Sequence, residues 1–196
     1  NSAGSTLVVG APLEDKSGYN ELGSASVYQF QNGNWVNIDN LAPNVNLTRV
    51  RFGYDVAISD TADTIVVASN TESEISTNSN DSGAVYIFER SNVGYELSTK
   101  LRIPNPVDYT SFGEGIAFNG AGDTLIVSSN EYSRLDYGFY DSPSPNDNRP
   151  FSAKSNYIYK RKNNTWERIA FIKTGSGGDS TFAIDTTGEN IVYGTY

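Results

Sequence analysis

Glu14, Asp15, Asn20 and Glu21 bring four oxygen-bearing side chains into one short polar stretch, and hard oxygen donors are the ligands a calcium ion takes. A solvated acidic turn is the competing reading of the same residues. A second group lies farther along, where Tyr132, Tyr137, Phe139 and Tyr140 alternate with Arg134, Asp136, Asp141, Asp147 and Arg149. Flat aromatic faces beside charges suit stacking on sugar rings or gripping a polar peptide. Alternatively, these rings fold back over a sheet edge or against a neighbouring subunit, with Pro143, Pro145 and Pro150 stiffening the crossing. Two carboxylates alone can hydrolyse a glycosidic bond, which keeps a polysaccharide-active enzyme as a third alternative. No pair of acids here is singled out by spacing.

The chain of 196 residues contains no His, Cys or Met. Disulfides, thiolate or imidazole metal sites and any triad built on His are thereby excluded. A net charge of −9 repels nucleic acid and anionic membranes, and no apolar run is long enough to span a bilayer. With Asn1 at its head and no Met, the chain reads as a processed or excised piece of a secreted protein. Its Asn-, Ser-, Thr-, Gly- and Tyr-rich composition favours strands and polar turns.

The elements that must position these groups repeat. Phe52-Gly53-Tyr54-Asp55-Val56-Ala57-Ile58 is echoed by Phe112-Gly113-Glu114-Gly115-Ile116-Ala117-Phe118 and, more faintly, by Thr181-Phe182-Ala183-Ile184. A tight turn follows each, and then a strand starting at Leu7, Ile65, Leu125 or Ile191, at spacings of 58, 60 and 66 residues. The turns carry Gly where a positive φ is needed, except that Ala62 replaces it once, which predicts a slightly different turn there. A third strand follows a loop of variable length, at Ser24–Phe30, Gly83–Phe88 and Ser155–Tyr159. A fourth opens on an aromatic residue, Trp35, Tyr95 or Trp166, whose recurrence predicts packing between sheets.

These residues resemble the FG-GAP repeats of integrin α-subunit propellers and of bacterial surface proteins. Phe52-Gly53, Phe112-Gly113, Gly10-Ala11-Pro12 with Glu14-Asp15, and Gly83-Ala84-Val85-Tyr86-Ile87-Phe88 carry the likeness. The resemblance implies an all-β fold of four-stranded antiparallel propeller blades and an adhesive role. It also implies a calcium loop between the first and second strands. In this sequence that turn, Ser59–Thr64 at its most acidic, is short of the six to eight oxygens calcium takes.

Strand counting predicts a partial propeller: an incomplete blade over 1–51, whole blades over 52–111 and 112–181, and an incomplete one over 182–196. Loops from the second to the third strand should gather at one end of the blades, which makes them the expected binding surface. The expected function is a non-enzymatic extracellular or cell-surface module binding a protein or glycan, with no certain cofactor. The alternative is a structural repeat that assembles with further copies into a sheath or filament.

Overall fold

The computed structural model describes residues 1–73, 79–103, 108–131, 153–176 and 180–195. Among them are thirteen strands and no helix. The first sheet contains β1 (Thr6–Ala11), β2 (Ser24–Gln31) and β3 (Asn34–Leu41). The second contains β4 (Val56–Ile58), β5 (Thr64–Ser69), β6 (Ala84–Ser91) and β7 (Gly94–Leu101). In the third are β8 (Gly115–Phe118), β9 (Thr124–Glu131), β10 (Ala153–Lys162) and β11 (Thr165–Ser176), and β12 (Ser180–Ile184) pairs with β13 (Ile191–Thr195). Every sheet is an antiparallel meander in chain order, so the expected sequence of three, four, four and two strands is what folds. The sheets are open, blade-like units consistent with part of a propeller.

Burial explains the stacking. Every residue of β5 is buried, because β5 has one neighbouring sheet on each face. Val67, Ile65, Tyr86 and Phe88 meet Val8, Ala25 and Val27 of the first sheet, whereas Val66, Ala68, Val85 and Ile87 meet Leu125, Val127, Tyr157 and Tyr159 in a second core. In β1 burial alternates instead, and Leu7 and Val9 on its far face remain 43% and 45% exposed. A two-sided strand is apolar throughout and a one-sided strand alternates.

The Phe-Gly pairs join one sheet to the next. Phe52 N–H donates to Leu22 O and Phe112 N–H to Ser82 O, so the segment leading into each sheet forms a parallel bridge with the sheet before it. Its ring then sits edge-on in its own sheet: Phe52 is 5.1 Å from Tyr86, and Phe112 is 5.5 Å from Tyr157. Both rings are fully buried. Gly23 and Gly83 face these phenylalanines at φ +80° and +82°, and a Cβ on either would run into the Phe backbone. This close approach explains why glycine stands before β2 and β6.

The short turns between first and second strands form one structure used four times. Asn1, Ser59, Asn119 and Asp185 open them, and each side-chain oxygen accepts backbone N–H groups a few residues on. Ala62 takes φ +58°, close to the +75° and +77° of Gly122 and Gly188. The expectation of a different turn at Ala62 is therefore corrected: the surrounding hydrogen bonds hold the alanine in the left-handed conformation. The turns also bond to one another, Asp60 N–H to Gly120 O and Ala121 N–H to Thr186 O.

Two further expectations change. Phe182 pairs with Tyr193 as Val56 pairs with Val67 and Ile116 with Val127, so it is a strand residue and not the counterpart of Phe52. Among the recurring aromatics, Tyr95 is 8% exposed and its hydroxyl donates to Ala62 O at 2.6 Å. Trp166 is half-buried beside Phe118 at 6.1 Å. Trp35, however, is 46% exposed and touches Phe30, because no described sheet covers that side of the first one.

Candidate functional site

The loops from second to third strands do gather with the lead-in segments of the following sheets. Asn20, Glu21 and Leu22 carbonyls accept the N–H groups of Arg49, Arg51 and Phe52; one repeat later Asn80, Asp81 and Ser82 accept Tyr109, Ser111 and Phe112. Ser69 and Ser129 hydroxyls then hold the carbonyls of Val50 and Thr110 at 2.6 and 2.7 Å. Each lead-in segment is thus held between the loop before it and the second strand of its own sheet. One continuous surface results.

This arrangement fixes which side chains face out. Val50, Phe52, Thr110 and Phe112 point inward and are buried, while Arg49 and Tyr109 point outward. Arg49, Arg51, Tyr109 and Ser111 all have positive φ, between 48° and 64°. For residues with a Cβ this conformation costs on the order of 1–2 kcal/mol each. The same backbone strain thus recurs at matching positions of the two lead-in segments. Tyr54 and Tyr109, 43% and 56% exposed, supply the aromatic faces, and Arg51 is braced by Glu21 at 2.8 Å. Sequence reading missed this Arg/Tyr surface, although the matched positions of Arg49 and Tyr109 ahead of each Phe-Gly pair were a usable signal.

The four oxygen-bearing residues of the first loop are used internally. Glu14 accepts the Ser24 hydroxyl, Asp15 accepts the N–H of Glu21, Glu21 pairs with Arg51, and the Asn20 carbonyl accepts Arg49. Among the described residues no three acidic side chains stand close enough to hold a metal. Tyr132, Tyr137, Phe139, Tyr140, Asp141 and Arg149 lie outside the described residues.

Glu72 occupies in the second loop the place of Glu14 in the first: its N–H donates to Ser69 O as Glu14 N–H donates to Ala11 O, and its carbonyl accepts Gly83 N–H as Glu14 O accepts Gly23 N–H. Here the side chain is fully buried. Its carboxylate accepts the Tyr86 hydroxyl at 2.5 Å and Lys100 Nζ at 2.6 Å, and pairs with Arg102. Lys100 also lies 4.7 Å above the Tyr86 ring. Burial, reinforced by the adjacent carboxylate, pushes the Tyr86 hydroxyl far above its ordinary range, so it keeps its proton and donates it to Glu72. Asp55 is a half-buried acid, raised by burial and bonded to the backbone N–H groups of Val56 and Ile116. It thereby ties β4 to the start of the third sheet.

Residues 35–88, from the outer strand of the first sheet to the third strand of the second, match the FG-GAP repeat. The chain carries an FG-GAP repeat. That match supports membership of the FG-GAP family, and it spans the connection from the first sheet to the second, with Phe52 inside it. A search of curated proteins found no match.

Proposed function

We propose that this FG-GAP protein is a non-enzymatic binding module that works outside the cell and presents its loop-end surface to a protein or glycan. The observation that carries the reading is the strained lead-in backbone, which holds Arg49 and Tyr109 outward at equivalent positions. An exposed tyrosine stacks on a sugar or peptide and an arginine gives directed hydrogen bonds. FG-GAP repeats are often associated with adhesion, which agrees with this use. Two carboxylates that an enzyme could have used, Glu72 and Asp55, instead hold cations and backbone amides of the scaffold. The test is a glycan and matrix-protein array probed with the parent and with Arg49→Ala, Tyr109→Ala and Tyr137→Ala/Tyr140→Ala variants. Binding lost with the first two supports the described surface, loss with the third places the contact on the long loop, and binding unchanged in all removes the reading.

A second reading is favoured by the far face of the first sheet. Leu7, Val9, Phe30 and Trp35 are exposed there, whereas Ile65, Val67 and Tyr95, at the positions of Leu7, Val9 and Trp35 in the second sheet, are buried against a neighbour. Such a face suits stacking of another blade, from this protein or a further copy, and gives the repeat a structural role in assembly.

A further inference from the structure

We propose that the Glu72 carboxylate is a latch that positions the binding face, clamping the loop before β6 onto β6 and β7 so that the lead-in of the third sheet is held in place. The proposal rests on the loop-end surface being the binding face, and it assigns one positioning residue to that surface.

The hydrogen bonds run in an unbroken series. Lys100 and Arg102 come from β7 and the segment just after it, Tyr86 from β6, and all three converge on one carboxylate. Arg102 reaches on to Gly83 O at 3.2 Å, and the Ser82 hydroxyl donates to Glu72 O at 3.3 Å. The end of the loop is therefore fastened to the Glu72 carboxylate through Arg102, and to the Glu72 backbone through Ser82. The carbonyls of Asn80, Asp81 and Ser82, fixed by this clamp, accept Tyr109, Ser111 and Phe112 at 2.8, 3.0 and 3.0 Å. Tyr109 is thus carried on a backbone that Glu72 holds.

Comparison inside the molecule supports a positioning role over simple core filling. In the first loop the carboxylate of Glu14, which has the same backbone bonds, accepts the Ser24 hydroxyl and, among the described residues, sits beside no pair of cations. In the second loop the carboxylate is buried with two cations, and a buried charge is tolerated only when such partners and hydrogen bonds are complete. Removing one partner from a closed set of this kind leaves buried charge uncompensated, and the part of the structure nearest to it loosens first.

The test is amide hydrogen exchange on the whole chain, which needs no ligand and so fails or succeeds separately from the array experiment. Glu72→Gln keeps the shape but removes the negative charge that Lys100 and Arg102 share. The expected result is exchange at Gly83, Tyr109, Ser111 and Phe112 faster by about tenfold or more, with the Ile65–Val67 and Val85–Ile87 amides unchanged. Tyr86→Phe removes only one donor and should accelerate the same amides a few-fold; should Glu72→Gln not fold, this variant decides by the same contrast. Unchanged exchange at those four amides, or equal acceleration across both sheets, overturns the proposal.

Discussion

Asp185 shows how one turn residue sets a measurable property. Its carboxylate accepts the Asn190 side chain first of all, then Thr187 and Gly188, and these bonds hold its pKa down to about 2. In an unfolded chain the same group titrates near 3.9. A depressed carboxyl stabilises the fold fully above the unfolded value and ceases to do so as pH falls through the folded one. The Asp185 resonance in an NMR titration should therefore have its midpoint near 2, and a midpoint near 4 would mean the turn bonds are not formed. At the matching turns, Gly122→Ala should cost about 1–2 kcal/mol, because a Cβ is forced into the left-handed region beside Ser59. Ala62→Gly should change stability by less than about 1 kcal/mol, since relief of strain offsets the greater freedom of the unfolded chain. Thermal melts of the two variants check the pair.

At the level of elements, the joints between sheets are the vulnerable points. Phe52→Ala and Phe112→Ala each empty a fully buried ring position and should destabilise by roughly 3–5 kcal/mol in denaturant titrations. Phe182→Ala should cost less, because Phe182 is a half-buried strand residue at the position of Val56. The strands themselves were legible in the sequence, since Ile65-Val66-Val67-Ala68 and its counterparts recur with the period of the fold. Phe182 misled because a lone aromatic ahead of a strand looks the same whether it precedes the strand or belongs to it; only register separates the two. The role of Glu14 was likewise beyond reading from type and spacing, since an acid after a strand suits a cation and a serine hydroxyl equally well. Glu72 gave no signal at all, because its partners Lys100 and Arg102 are remote in sequence and meet it only when β7 folds alongside.

Across the whole molecule, exposed apolar surface is concentrated at its ends. Leu7, Val9, Phe30 and Trp35 lie on the outer face of the first sheet, and Ile169, Phe171 and Val192 near the last two sheets are 52%, 39% and 69% exposed. The chain as given should self-associate at micromolar concentration, and sedimentation velocity should show species larger than a monomer. A Phe30→Ser/Trp35→Ser double variant should shift that distribution towards monomer. A parent chain that sediments as a compact monomer would show that these faces do not drive assembly.

The bonds linking the four short turns also set a geometry. They lie where the first strands of successive sheets run beside one another, with β4 next to β1 and β8, and β8 next to β12. Near a hub, a displacement of a fraction of an ångström swings the outer strands through a wide arc. The angle at which the blades fan out is therefore governed by Asp60, Gly120, Ala121 and Thr186, whose peptide groups fix the spacing. The loops between second and third strands take no part in these bonds, so a change in their length leaves the spacing between successive turns as it is.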